Sequence, residues 1–519
     1  MSAIHYATTV PQAFSDADAS FAALKGRVAS AASEGMSHGD LERLIEADGR
    51  EILRQLFQGH LELRAECTAS PVIGADGVCR THRRRDETRR LMTVFGPVEV
   101  RRTGYARPGL PTLYPLDASL NLPAGQSSEG VRRRMSIAAA GGSLDAAVET
   151  VRGNTGAKPA KRQAREMVID AAVDFVAFYE EPADKPYVAP ADEVPLVLTT
   201  DAKGVVMRPE CLRPQTRDKA AVRRHRLDKR LSRGEKRNAK RMAQVASIYD
   251  IEPHVREVDE VMRELRPVGP AAKRPRAACK RVWASLDREP RDVVAELFRE
   301  AERRDPEHRR PWVGLVDGNK HQLSLMRDEI RRLGARATLI IDIIHVLEYL
   351  WKAAHALFGE GSKESEAWVQ KRFAMLLQGR VSHVAAGLRR SATRKGLEGN
   401  RRQAADKAAN YLLKYKHMMR YDKYIAAGYP IATGVIEGAC RHLVGDRMDL
   451  TGARWGLQGA EAVLKLRALR SSGDFDAYWR FHQKREHQRN HAVRYADGEV
   501  PHLDAPTPRS SRSHLRVVK

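Results

Sequence analysis

Cysteine is scarce in this sequence, and the few that occur are not paired along the chain. The 519 residues include five cysteines, none separated from the next by only two residues: Cys67, Cys79, Cys211, Cys279 and Cys440. Zinc knuckles and disulfide frameworks depend on closely or regularly spaced cysteines, so this spacing argues against both. It indicates a protein of a reducing compartment.

Long apolar runs are also missing. The sequence has no stretch of about 18 apolar residues, the length that a helix needs to cross a bilayer. The first residues, "MSAIHYATTVPQAF", lack a basic segment followed by an apolar one, so no secretory signal is expected. We therefore expect a cytoplasmic protein without a membrane partner.

Acidic residues are fewer than basic ones. The chain has 90 Lys and Arg against 66 Asp and Glu, a net charge of +24. Such an excess favours a polyanionic partner, and nucleic acid in particular, which would place the protein at the nucleoid.

The excess is concentrated in residues 213–242, which hold 13 Lys and Arg against 3 Asp and Glu, a net charge of +10. A charge run can simply be a solvated face, but this one exceeds what solubility needs and favours phosphate contact. The candidates for DNA binding are Arg223, Arg224, Arg226, Lys229, Arg230, Lys236, Arg237, Lys240 and Arg241.

The first part of the chain is predicted to be mostly helical. Residues 1–38 are expected to be loose, and 39–182 to form a helical and hairpin region. Within it, 39–66 has helical periodicity, 91–106 indicates a hairpin that turns at Gly-Pro, and 128–180 indicates three helices. Three short helices are typical of a helix-turn-helix unit, but also of a plain packing domain, and the pattern does not separate the two.

A mixed α/β core is predicted to follow. Buried strands are expected at 196–200, 311–316 and 337–342, with "GVVMRP" as the hairpin partner of the first. The core would begin at 183–345, with a basic insertion at about 213–300. A helical insertion would follow at 346–430, then the end of the core at 431–485 and a polar tail at 486–519.

Three aspartates are placed where predicted strands end. Asp201 follows "LVLTT", Asp317 follows "PWVGLV" and Asp342 closes "ATLIID". An acid at the end of a buried strand is costly to desolvate unless it is paired or binds a metal ion, although a turn-forming aspartate is a common alternative. Glu437 adds a fourth acid in the apolar segment "GVIEGA"; its alternative is an ion pair with Arg441.

Carboxylates that converge from distant parts of a chain suit metal-assisted phosphoryl transfer. Mg²⁺ prefers oxygen ligands, and two ions about 3.5–4 Å apart can serve the attacking and the leaving oxygen of an in-line displacement. Spacing alone leaves open which of Asp317 and Asp342 would act with Asp201 and Glu437.

Several segments together resemble one family. "TTDAKGV", "GLVDGNKHQL", "IDIIHVLEYLW", "GVIEGACRHLV" and "KRLSRGEKRNAKRMAQVASIYD" are similar to the ISKra-type insertion-sequence transposases, a bacterial branch of the Mutator-like DDE transposases. The resemblance spans roughly residues 40–480. It implies an RNase H-like catalytic core interrupted by an all-helical insertion and preceded by a mostly helical DNA-binding region.

The resemblance also implies roles for individual residues. Asp201, Asp317 and Glu437 would be the catalytic triad and would bind two Mg²⁺ ions, with Mn²⁺ as a substitute. Asp342 and His345 match the family's C-or-D-x-x-H motif and would be accessory; a structural hydrogen bond is the alternative for His345. Arg447, Arg454 and Trp455 would contact DNA, unless Trp455 packs in the core.

The implied activity is that of a mobile element's enzyme. Hydrolysis at a transposon end would release a 3′-hydroxyl, which then attacks target DNA. The partner would be double-stranded DNA, both the transposon ends and the target DNA. The protein would form a homodimer or a larger assembly when it holds two ends together in synapsis. Relatives often carry a cysteine cluster where this chain has "YARPGLPTLYP", so a zinc module is in doubt.

Two other functions fit the same residues. A different metal nuclease of the same fold, such as a junction resolvase, would present similar acids. A non-catalytic basic DNA-binding regulator would show no dependence on divalent metal and would tolerate Glu437→Gln.

Overall fold

The computed structural model describes residues 10–181, 187–222, 224, 227, 230–232, 235, 238–264, 274–450 and 452–505. The chain divides into two compact units. The first takes residues 1–180 together with 476–519, and the second takes residues 181–475.

The strands fall into one three-stranded and one five-stranded sheet. The first sheet has the order β1-β2-β3 and the second β6-β5-β4-β7-β8. In chain order the strands are β1 (His82–Thr93), β2 (Gly96–Arg107), β3 (Leu110–Leu113), β4 (Leu196–Val206), β5 (Lys240–Asp250), β6 (Ala278–Ser285), β7 (Trp312–Val316) and β8 (Ala337–Ile341).

The described residues contain helices in both units. In chain order they are α1 (Val10–Ala13), α2 (Ser15–Val28), α3 (Ala31–Glu34), α4 (His38–Ala65), α5 (Pro115–Ser119), α6 (Glu129–Gly141), α7 (Leu144–Asn154), α8 (Lys161–Asp170), α9 (Phe175–Glu180), α10 (Pro214–Ala221), α11 (Val258–Glu264), α12 (Pro290–Arg304), α13 (Lys320–Leu333), α14 (Ile343–Phe358), α15 (Lys363–Leu377), α16 (Val381–Arg394), α17 (Gly399–Tyr415), α18 (Tyr421–Ala426), α19 (Gly434–Ala439), α20 (Asp446–Met448), α21 (Leu457–Ser472) and α22 (Phe475–Asn490).

In the first unit, helix α4 packs on the hairpin of β1 and β2. The side chains that meet there are apolar and buried: Leu61, Leu91, Val98, Val100, Leu116 and Leu122. Residues 39–66 were predicted to be this helix, and the hairpin was also predicted; both are confirmed. The turn, however, lies at Val94 and Phe95, because Gly96 and Pro97 already pair with Thr93 and Met92 in the ladder.

The ends of the first unit differ from the prediction. Residues 1–38 were expected to be loose, yet α1, α2 and α3 lie there; Ala17 and Leu24 of α2 are buried, and residues 1–9 lie outside the described part. The polar tail begins later than expected, since Thr68 and Asp504 exchange two backbone hydrogen bonds. The unit boundary at 475 also replaces the expected end of the core at 485.

The three helices predicted at 128–180 are present as α6, α7 and α8, followed by the short α9. Ser128 and Ser143 accept hydrogen bonds from Val131 N and Ala146 N, so both cap their helices. A DNA-reading role for these helices stays a prediction.

The five-stranded sheet of the second unit is mixed. β4, β5 and β6 are antiparallel neighbours, whereas β7 and β8 run parallel to β4. The mixed α/β character that the sequence predicted is confirmed. Two details were wrong: "GVV" continues β4 instead of forming a hairpin partner, and the supposed basic insertion at 213–300 contributes β5 and β6 to the sheet. β4 pairs with β5 along its whole length, which explains why it does not turn after Thr200.

The segment expected to be a helical insertion contains α14 to α18, as predicted. Buried apolar side chains line its interior, among them Leu350, Phe373, Leu388 and Leu412. In the part of the chain that the structure describes, no helix combines the length and the apolar character that crossing a bilayer requires.

Candidate metal centre

Three of the candidate acids lie at the same edge of the five-stranded sheet. β4 pairs with β7 as far as Thr199 opposite Leu315, and β7 pairs with β8 as far as Val316 opposite Ile341. Asp201 and Asp317 each follow their paired residue by two positions, and Asp342 follows Ile341 directly. The shared register therefore sets the three acids at one level, beyond the last parallel pairs.

Asp342 is held firmly at this edge. It is completely buried, and its Oδ1 accepts a hydrogen bond of 2.9 Å from Ile344 N, which caps α14. Its Oδ2 accepts a hydrogen bond from the hydroxyl of Thr433. That hydroxyl also lies 3.2 Å from Oε1 of Glu437. A hydroxyl has a single proton to donate, so it cannot serve both carboxylates at once.

Glu437 is exposed but lies close to Asp342. Partial loss of hydration, and then the negative charge of Asp342, raise the pKa of Glu437 above its ordinary value. The alternative of an ion pair with Arg441 is not realised, since Arg441 Nε instead lies 4.0 Å from Asp446. The crowding of two carboxylates is electrostatically unfavourable until a positive charge joins them.

His345 completes a set of three possible ligands. It lies in the first turn of α14, and the ligand atoms of Asp342, His345 and Glu437 are all within 4.8 Å of one another. Two carboxylates and an imidazole can hold a divalent cation. Asp201 and Asp317 do not join this set, so the structure groups Glu437 with the two residues that were predicted to be accessory.

Cys440 links the helix of Glu437 to the first aspartate. It follows Glu437 by three positions, on the same side of the helix, and its Sγ lies 3.2 Å from Oδ2 of Asp201. Burial, and then the charge of Asp201, raise the pKa of the thiol, which keeps it protonated and able to donate. From Cys440 to Gly445 the helix widens into a π-helical turn, a form that is frequent at functional sites.

Asp317 occupies a tight turn between β7 and α13. Its Oδ1 accepts a hydrogen bond of 2.7 Å from Asn319 N, and Asn319 in turn caps α13. Gly318 between them has φ +87°, which only glycine adopts without strain. The turn therefore fixes the backbone, and among the described residues no hydrogen bond engages the second carboxylate oxygen of Asp317.

The structure separates the basic candidates into three groups. Arg224, Arg230, Lys240 and Arg454 are exposed, whereas Arg223, Arg226, Lys229, Lys236 and Arg237 lie outside the described residues. Arg241 is buried and donates to the backbone oxygens of Leu286 and Cys211. This engagement removes Arg241 as a phosphate contact and corrects the prediction.

The arginine and tryptophan after Glu437 pack on each other. Arg447 is buried and lies over the ring of Trp455 at 4.6 Å, and the indole Nε1 donates to Met448 O at 3.1 Å. Burial lowers the pKa of Arg447 to about 10. Of the two interpretations of Trp455, the structure favours packing over a DNA contact. Because Arg447 is buried against this ring, its predicted direct contact with DNA does not occur in this conformation.

Sequence reasoning missed Thr433 and Cys440. Both are spaced to share the helix face of Glu437, four positions before it and three after it. That spacing was the available signal.

Comparison with models of known protein families gives no match, and comparison with curated proteins gives none either.

Proposed function

We propose that the chain is a DDE transposase of a bacterial insertion sequence, with Asp201, Asp317 and Glu437 as its triad. One observation carries the proposal. Four acids gather at one edge of the sheet, and within the described residues none of the four forms an ion pair with Lys or Arg. Unneutralised acids in one place are costly unless a cation joins them.

An RNase H-like core is part of the proposal. It is supported by the sheet, in which three antiparallel strands adjoin two strands parallel to the first, and by the all-helical segment between β8 and the helix of Glu437. The acids come from the first, fourth and fifth strands of this sheet and from that helix.

Divalent cations, Mg²⁺ in this proposal, would neutralise the substrate phosphate, promote deprotonation of water and stabilise the leaving oxygen. The chain's own residues prepare the site. Cys440 orients Asp201, and the turn at Gly318 presents Asp317. Thr433 sets the distance between Asp342 and Glu437. Glu437 is the most exposed member of the grouped ligands, so it faces solvent from which DNA would approach.

Double-stranded DNA is the proposed partner. The exposed Arg224, Arg230, Lys240 and Arg454 belong to the same unit as the acids. Phosphate contacts of this kind position DNA without reading its sequence, so recognition of the transposon end would need other residues.

The experiment is a cleavage assay on duplex DNA that carries the inverted repeats expected to flank the gene of a transposase. With Mg²⁺, the protein should cut and leave a 3′-hydroxyl, and Asp317→Asn should lower the rate at least about 10³-fold, because metal-held charge contributes several kcal/mol. Asp328→Asn, on the exposed side of α13, is the matched control and should cut normally. DNA binding should survive in both variants.

Two outcomes would refute the proposal. One is cleavage by Asp317→Asn at the rate of the unaltered protein, and the other is cleavage that persists after all divalent metal has been chelated. Preferential cutting of four-way junctions over transposon ends would favour a junction resolvase instead.

A further inference from the structure

We propose that three tyrosines of the helical segment are positioning residues that fix the strand ends bearing Asp317 and Asp342. This inference rests on the proposed function, because it concerns the same acids. We name Tyr411, Tyr415 and Tyr421 the tyrosine clamp. Tyr411 and Tyr415 lie on α17, and Tyr421 begins α18.

Each hydroxyl of the clamp donates to a backbone carbonyl beside an acid. Tyr411 donates to the oxygen of Asp317 at 2.9 Å, and Tyr415 donates to the oxygen of Gly318 at 2.8 Å. Tyr421 donates to the oxygen of Ile341, the residue before Asp342, at 2.8 Å. The end of β7 is thus tied to α17, and the end of the adjacent parallel strand β8 is tied to α18, beside the acids that follow each strand.

The hydroxyls are themselves fixed. The ring of Tyr411 stacks on Tyr349 of α14 with 4.0 Å between ring centroids and 16° between planes. Tyr415 and Tyr421 are buried, and the hydroxyl of Tyr415 accepts a hydrogen bond of 2.6 Å from Lys414 Nζ. Burial raises the pKa of Tyr411 and Tyr421, so both remain protonated donors.

The fit at Gly318 shows how close this contact is. A Cβ at Gly318 would lie 2.8 Å from the Tyr411 hydroxyl oxygen and 3.1 Å from a ring carbon. The turn that carries Asp317 therefore lies directly against the tyrosine. A carboxylate that shares a divalent cation with others must be held within about half an ångström, and rigid supporting groups provide this. The clamp gives the helical segment such a role.

The test compares Tyr411→Phe and Tyr415→Phe with Tyr349→Phe in the full chain. Phenylalanine keeps the ring and removes only the hydroxyl. Tyr349 lies in the same stack, but among the described residues its hydroxyl makes no hydrogen bond to a strand-end carbonyl, so it is the matched control. Amide hydrogen exchange reports the 317–320 turn, and titration with Mn²⁺ alone reports the acids.

We expect exchange at Asn319 N to speed up roughly tenfold in Tyr411→Phe and Tyr415→Phe, the size of one lost net hydrogen bond. Mn²⁺ affinity should fall several-fold in these variants and stay unchanged in Tyr349→Phe. In the cleavage assay, kcat should fall and the Mg²⁺ concentration for half-maximal rate should rise, with KM for DNA unaltered.

Equal Mn²⁺ affinity in Tyr411→Phe and Tyr349→Phe would overturn the clamp, even if exchange were faster, because the tyrosine would then be only structural. If the Mn²⁺ affinities are equal but the unaltered protein cuts DNA normally, the transposase proposal is not affected. Conversely, weakened Mn²⁺ binding in the clamp variants of a protein that never cuts DNA supports the clamp and refutes the proposed function.

Discussion

The two ends of the five-stranded sheet differ in how the charge of a buried acidic residue is balanced. At the end where β4 and β7 begin, Asp250 is buried but Arg310 donates to its Oδ1 at 2.6 Å. The hydroxyl of Tyr187 lies 2.9 Å from both oxygens of Asp250. At the other end, the buried Asp342 has a backbone amide and a hydroxyl as donors, and its ligand oxygen lies within 4.8 Å of that of Glu437.

Burial therefore does not distinguish the candidate site acid Asp342 from the structural acid Asp250. What differs is the charge balance. The first end is neutralised within the chain, so its acid contributes to the fold. The second end brings together acids with hydroxyl, thiol and amide donors, and Asp342, His345 and Glu437 in it could hold a cation.

Breaking the neutralised end should have the largest effect on stability. Arg310→Met leaves Asp250 buried without its cation, and we expect the free energy of unfolding to fall by about 3–5 kcal/mol. Urea denaturation measures this. Arg331→Met is the control, because its side chain is 77% exposed and its loss should cost less than about 0.5 kcal/mol. A loss below about 1 kcal/mol for Arg310→Met would contradict the comparison.

At the opposite end of the sheet, removing the hydroxyl of Thr433 should lower the free energy of unfolding by a smaller amount. Thr433→Val removes the donor between Asp342 and Glu437, and we expect a loss of about 1–3 kcal/mol because a buried carboxylate oxygen loses its hydrogen bond. Thr433→Ser keeps the hydroxyl and is the control. Urea unfolding without added metal measures both, and unchanged stability in Thr433→Val would contradict a role for the hydroxyl.

A smaller effect on stability is expected from the ionisation of Glu437 as the pH changes. The pKa of Glu437 is raised in the folded state, so its charged form is disfavoured by folding. The destabilisation is complete above the folded pKa and disappears as pH falls toward the unfolded value. Without metal, the stability difference between Glu437→Gln and the unaltered protein should therefore shrink on acidification. Parallel thermal unfolding curves across pH 4–8 test this, and a difference that grows on acidification would have the wrong sign.

Local patterns in the sequence were sufficient for much of this architecture. Alternating and continuous apolar runs predicted β7, β8 and the hairpin of β1 and β2. The helical segment from α14 to α18 was also predicted. These features depend on neighbours along the chain, which a single sequence displays directly.

Features that depend on distant partners were missed. β5 begins in the basic run, with Lys240 and Arg241, and its strand character comes from pairing with β4 on one side and β6 on the other. Burial of Arg241 likewise depends on carbonyls of Leu286 and Cys211, which no local pattern indicates.

The candidate site shows the same division. Its acids could be identified from strand ends and motifs, and the register places three of them at one edge. The grouping of Glu437 with Asp342 and His345 was not foreseen, because it depends on how α19 lies against the start of α14. The tyrosines that support the turn of Asp317 lie far along the chain, Tyr411 being 94 positions after Asp317 and Tyr415 97 positions after Gly318.

The central claim is that divalent cations bind at the end of the sheet that carries Asp201, Asp317 and Asp342. Titration of the full chain with Mn²⁺, followed by electron paramagnetic resonance, tests this claim most directly. The unaltered protein should bind Mn²⁺, and Glu437→Gln should weaken binding at least about tenfold, since it removes a charged ligand. Glu364→Gln, an exposed acid on α15, should bind like the unaltered protein. Equal affinity in Glu437→Gln and the unaltered protein would contradict the account.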